Sequence, residues 1–171
     1  MKKVFHLWIV WCALGFAQSI YFLPNENKEA LNALTSALSN AQSEIKISIY
    51  TFTHRQIANA LRDSAKKGIK VQVIYDKSQN LQSKNSTIGY LAKYKNIAVC
   101  TLEGLKSGDI TGIMHQKMAI IDNKTLIIGS ANYSKQAFER SYELLYFTQQ
   151  NEVVQKAVQN FEIMYKNCTP F

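Results

Sequence analysis

The chain has 171 residues, enough for one domain and too few for two of ordinary size. With 47% hydrophobic residues and only two prolines it can bury a proper core, which excludes a disordered chain. A formal net charge of +8 favours a polyanionic partner, either nucleic acid or an anionic membrane surface, although charge alone names no chemistry.

The first residues read as an address. Lys2 and Lys3 precede an apolar run over residues 4–17, interrupted by His6 and ending in small residues such as Gly15 and Ala17. This pattern predicts an export signal or an N-terminal membrane anchor over residues 1–19, leaving one domain over 20–171 in the periplasm or at the membrane. The run is short for a transmembrane helix, which needs about 20 residues. If 1–17 were removed, two lysines would go with it and the net charge would fall from +8 to +6. Cys100 and Cys168 would then remain, and an even count in an exported chain permits a disulfide between them.

Residues 23–27 read as a linker and helix start. Over 28–41, Ala30, Leu31, Leu34, Leu38 and Ala41 recur at helical steps. Ile45, Ile47 and Ile49 alternate along a strand over 45–52, and 54–67 forms a helix closed by Gly68. Val71, Val73 and Tyr75 mark a second strand over 70–75. Strand, helix and strand at this spacing form a βαβ unit with a parallel crossover. The polar stretch 77–86 reads as a mobile loop, 88–95 as a helix and 97–101 as a third strand. Residues 102–114, with Gly104, Gly108 and Gly112, read as a flexible segment. Strands over 116–121 and 125–128 pair across a short turn, 143–148 adds another, and a helix over 153–166 closes the chain. The predicted class is α/β: a mixed, largely parallel β-sheet with helices on both faces.

Chemistry concentrates in His115-Gln116-Lys117, Asp122 and Gly129-Ser130-Ala131-Asn132. In an extended segment His115 and Lys117 share one face, whereas Asp122 falls on the other. An imidazole beside an ammonium in an apolar strand is equipment for holding and attacking a phosphate, because an unpaired ammonium is costly to bury. Asp122 opens a turn with Asn123, so a structural role is expected of it. His54, at a helix start, is assigned capping or packing rather than catalysis. Asp76, Asp109 and Asp122 make no carboxylate cluster of the kind that holds magnesium, so no metal or cofactor is expected.

At these residues the chain resembles the phospholipase D superfamily, whose HKD signature places His, Lys, Asp, Gly-Ser and Asn at these spacings. The likeness extends over roughly 40–165 and is greatest to the small bacterial endonucleases that carry one such motif. It implies a phospholipase D-like nuclease domain in which His115 attacks phosphorus and forms a phosphohistidine. Lys117, Ser130 and Asn132 would hold the phosphate, with Gly129 allowing close approach. Glu143 would accept the far ring N–H of His115. One motif leaves no second group to protonate the leaving oxygen, so a homodimer with a shared site is expected. Nucleic acid, DNA and also RNA, is the favoured substrate, with Lys77, Lys84, Lys106, Lys135 and Arg140 near the site and Tyr133 and Tyr142 available to stack bases. A phospholipid hydrolase is the rival enzyme reading. A periplasmic DNA-binding module is the non-enzyme one, disfavoured by the unbroken motif.

Overall fold

A computed structural model describes residues 18–171, so the expected export segment lies almost wholly outside the described residues. In chain order the elements are β1 (Ser19–Leu23), α1 (Asn27–Ser39), β2 (Glu44–Ile49), α2 (Arg55–Lys66) and β3 (Lys70–Asp76). Then come α3 (Lys77–Leu81), α4 (Ile88–Leu91), β4 (Ile97–Leu102), β5 (Lys106–Ser107) and β6 (Ile110–Thr111). The C-terminal part holds β7 (Lys117–Ile121), β8 (Thr125–Gly129), α5 (Lys135–Glu139), β9 (Glu143–Thr148), α6 (Asn151–Asn167) and β10 (Thr169–Pro170).

Eight strands form one mixed sheet in the order β1-β9-β8-β7-β2-β3-β4-β10. Parallel pairing is confined to β2, β3 and β4, the strands joined by the predicted crossovers. The other neighbours are antiparallel, a larger share than the βαβ reading implied, because the HKD hairpin and both edge strands join that way. Strand alternation divides the core into two layers. Ile45, Ile47, Ile49, Val71, Val73 and Ala119 face α1 and α2, whereas Ile74, Met118, Ile120 and Leu126 pack beneath Val154 and Phe161 of α6. Helices therefore cover both faces. Among the described residues no helix is long and apolar enough to cross a membrane.

Four segments differ from expectation. Residues 19–23, where no element was expected between the address ending at 19 and the linker beginning at 23, form edge strand β1 against β9. The stretch after β3 is not a loop at its start: the Asp76 carboxylate accepts the Gln79 N–H at 2.9 Å and caps α3. The helix expected over 88–95 is the four-residue α4. The glycine-rich segment before His115 folds into the β5–β6 hairpin. A Cβ on Gly104 would collide with the Gly112 backbone, so the glycine lets the two arms close at their neck.

Two long-range clips fix the ends of the sheet. Cys100 on β4 and Cys168 after α6 are joined, with their Cα atoms 5.7 Å apart, so the last helix is tied to the parallel edge. At the β7–β8 turn, Asp122 and Asn123 have φ of 54° and 52°, the positive values that a type I′ turn requires at both central residues. The Asp122 carboxylate accepts the N–H groups of Gln42, Ser43 and Glu44 at 2.9, 2.7 and 3.0 Å and the Ser43 hydroxyl at 2.8 Å. The turn is thereby pinned to the start of β2.

Candidate active site

The carboxyl ends of β2, β3 and β4 and the amino end of β7 meet at one edge of the sheet, where open α/β folds place their ligands. His115 arrives there just before β7 and is exposed. Its ring stands edge-on to Tyr50, with centroids 4.5 Å apart. The segment is braced from below: the buried Asp76 carboxylate accepts the Met114 N–H at 2.9 Å, and Asn80 donates to the carbonyls of Tyr50 at 2.7 Å and Asp76 at 2.8 Å. Gln116 is held between the Ser48 hydroxyl and Asn160 of α6, each at 3.0 Å.

Two lysines on central strands are buried, and their surroundings differ in kind. Lys46 is 4% exposed and its ammonium meets Glu44 at 3.0 Å and Glu162 at 3.3 Å. Such pairing is the usual condition for burying a charge. Lys117 is 8% exposed and has no carboxylate at ion-pair distance among the described residues. Its Nζ donates to the His115 carbonyl at 2.8 Å and sits 5.0 Å from the centre of the Tyr50 ring. Burial pushes its pKa below the ordinary lysine value, and the negative charge of Glu143 partly opposes that shift. An ammonium with one protein oxygen and one aromatic face for company is short of an anion.

Asn132 follows β8, and its Oδ1 accepts the Thr51 N–H at 3.1 Å. That bond orients the carboxamide and commits its oxygen, leaving the NH₂ group as the free donor. Ser130 is exposed. Its hydroxyl oxygen accepts the Leu144 N–H at 3.2 Å, while its own N–H donates to the Leu144 carbonyl at 3.2 Å. Gly129 stands where β8 meets β9. A Cβ there would overlap the Leu144 carbonyl oxygen, so the missing side chain admits the neighbouring strand β9.

Glu143 opens β9 and acts on Lys117 through its charge; among the described residues no hydrogen bond joins it to His115. Asp122 lies at the opposite end of β7 and takes no part in this site. Tyr133 is buried in the core against Phe52, which rules out the base-stacking role considered for it, whereas Tyr142 is 90% exposed. Of the basic residues expected nearby, Lys77 pairs with Glu103 at 3.4 Å, Lys106 lies on the hairpin and Lys135 begins α5. His54 is buried before α2, packs edge-on against Phe138 and makes no side-chain cap. Burial lowers its pKa, Glu139 raises it and Lys135 lowers it further. Among the described residues no three His, Cys, Asp or Glu side chains converge as a cation site would require.

Sequence reasoning did not assign roles to Tyr50, Asp76 or Asn80. Their signal was positional, since Tyr50 lies near the end of one predicted parallel strand and Asp76 and Asn80 follow the end of the next, but their partners lie far along the chain.

Residues 34–165 match the family described as cardiolipin synthase, PLD-like domain. The chain belongs to the phospholipase D superfamily. The structure is similar to NucT from Helicobacter pylori, with a TM-score of 0.90 and 50% identity over 92% of this chain and 100% of that one. It shares its fold with Nuc of Salmonella typhimurium, a phospholipase D family member, at a TM-score of 0.78 and 22% identity over 92% and 99% of the two chains. Human mitochondrial cardiolipin hydrolase is 29% identical over 84% of this chain and 54% of its own length. The chain spans little more than half of such curated relatives. The superfamily is one of phosphodiesterases, and the site lies where its HKD signature runs from His115 to Asn132.

Proposed function

We propose that the protein is an endonuclease, a phosphodiesterase that cleaves nucleic acid with little sequence preference through a covalent phosphohistidine. The observation that carries this reading is the contrast between the buried lysines: Lys46 has two carboxylates, whereas Lys117, beside the exposed His115, has none. In the proposed reaction a ring nitrogen of His115 bonds to phosphorus as the bond to the leaving oxygen breaks, and that oxygen takes up a proton. Water then attacks phosphorus, gives up a proton and releases the imidazole. Lys117, the Asn132 carboxamide and the Ser130 hydroxyl bind the non-bridging oxygens as charge gathers on them, so no metal is required of the scheme.

The proton donor and acceptor for the leaving oxygen and the water is His115 of a second copy in a twofold dimer. Exposed apolar side chains near the motif suit such an interface, with Leu105 94% exposed and Phe22, Ile110 and Ile113 also open to solvent. The Cys100–Cys168 bridge agrees with export to an oxidising compartment, the periplasm or its membrane face. An N-terminal segment that is retained would also tether the protein there.

Nucleic acid is favoured by the basic balance and by the likeness to the bacterial single-motif endonucleases. The lipid reading draws on the cardiolipin hydrolase relatives and the exposed hairpin. Purified protein should be incubated with plasmid DNA, RNA and cardiolipin vesicles, with and without excess chelator, and its mass measured under the same conditions. Cleavage of nucleic acid unaffected by chelator, by a dimer, is expected. Lipid turnover alone would overturn the substrate, loss of activity with chelator would overturn the chemistry, and a fully active monomer would overturn the shared site.

A further inference from the structure

Beside the catalytic edge a second cleft of about 470 Å³ is lined by Thr53, His54, Arg55, Gln56, Asn85 and Lys135. We propose that this cleft binds a second phosphodiester of the same substrate strand, next to the one being cleaved, so that the enzyme takes a polynucleotide rather than an isolated diester. The inference rests on the nuclease reading above and goes further by giving that substrate a second contact.

Three observations carry it. Arg55 and Lys135 bring two exposed cations from different elements, and neither has a carboxylate at ion-pair distance among the described residues. Arg55 is instead steadied by the Tyr90 ring, 5.6 Å from its guanidinium carbon, which leaves the donors of the guanidinium uncommitted. The one carboxylate of α5, Glu139, lies within the field of His54 but outside the cleft lining.

The wall of the cleft is also polar and incomplete. His54 is 4% exposed, and its Nδ1 is the one buried side-chain nitrogen or oxygen without a hydrogen-bond partner among the described residues. It stands at the N-cap position of the twelve-residue α2 without capping it, so the first N–H groups of that helix also lack a side-chain acceptor. A buried orphan nitrogen, uncapped amides and two unpaired cations together describe a site whose missing component is an anion.

The cleft is joined to the catalytic residues by short covalent and hydrogen-bonded paths. The Tyr133 carbonyl, one residue beyond Asn132, accepts the N–H groups of both Thr53 and His54 at 2.8 Å. Thr51, two residues earlier, donates its N–H to the Asn132 side chain. Lys135 lies three residues past Asn132 and Arg55 four past Thr51, so the two places are built on the same two segments, and in the proposal neighbouring phosphates on one strand engage both. An isolated phosphodiester has nothing to put in the second.

The test uses the full chain and thymidine oligonucleotides carrying one, two, three and five phosphodiesters. Binding is read by fluorescence anisotropy as salt is varied, for the wild type and for Arg55→Ala/Lys135→Ala, with thermal melts as the check on folding. In the wild type, affinity should rise at least tenfold between one and three phosphodiesters. The double variant should lose most of that gain, and the slope of log affinity against log salt should fall by about 0.7, the value for one phosphate contact on a single strand. An undiminished length gain and slope in a folded variant would overturn the cleft. Because binding is the readout, absence of nuclease turnover would sink the nuclease reading without being mistaken for failure of the cleft.

Discussion

Asp122 lies at the far end of β7 from His115, and the acceptor bonds its carboxylate makes show why the motif nonetheless includes it. Burial would raise its pKa, but the N–H groups of Gln42, Glu44 and Ser43 and the Ser43 hydroxyl outweigh that and hold it below the usual carboxylate value. The sign follows directly. A carboxylate favoured in the folded state stabilises it above its unfolded pKa, and that stabilisation disappears as pH falls through the lowered folded value. Asp122→Asn removes the charge and one acceptor oxygen, which should cost about 2 kcal/mol. Thermal melts at neutral pH should show Tm falling by about 5 °C, with a smaller difference under acid conditions. Unchanged Tm with abolished turnover would instead assign Asp122 to the chemistry. Its turn position and opposite-face parity were readable in the sequence. Tyr50 and Asp76 were not, since an edge-on contact with His115 and a bond to Met114 arise only once β2, β3 and the hairpin converge.

At the scale of elements, the parts legible in the sequence are those with local periodicity. Ile45, Ile47 and Ile49 announced β2, the 54–67 pattern announced α2, and the motif filler announced the β7–β8 hairpin. Strand β1 escaped because it follows an apolar run whose composition drowns its alternation, and because its partner β9 is more than a hundred residues away. The β5–β6 hairpin escaped because its strands are two residues each and its glycines serve the neck rather than the turn alone. The number of antiparallel neighbours was likewise a tertiary fact. The tie between β4 and the end of α6 has a measurable consequence. Cys100 and Cys168 are 68 residues apart, and closing a loop of that length stabilises the fold by about 4 kcal/mol in the chain-entropy account. Reductant should therefore lower the Tm of the wild type by about 10 °C and leave Cys100→Ser/Cys168→Ser unaffected. Equal melting of the wild type with and without reductant would show that the bridge carries no such load.

At the scale of the molecule, one sheet separates support from chemistry. The Asp122 clip secures one end of β7, and His115, Lys117, Asn132 and Ser130 gather at the other, where the parallel strands end. The motif was readable as a set, and so was the likeness to the phospholipase D superfamily. The lack of a hydrogen bond between Glu143 and His115 among the described residues was not, because it depends on how β9 sits against β8. A second copy would bring another imidazole to the same edge, giving one nitrogen to bond phosphorus and another to move the proton. The reaction then hinges on the first of these. An oligonucleotide with a radiolabelled scissile phosphate should be mixed with the enzyme, quenched in alkaline denaturant within the first turnover, and the protein mapped by peptide. The account predicts label on the peptide containing His115 and none on the His115→Ala chain. Turnover with no labelled peptide, together with undiminished hydrolysis by His115→Ala, would contradict it.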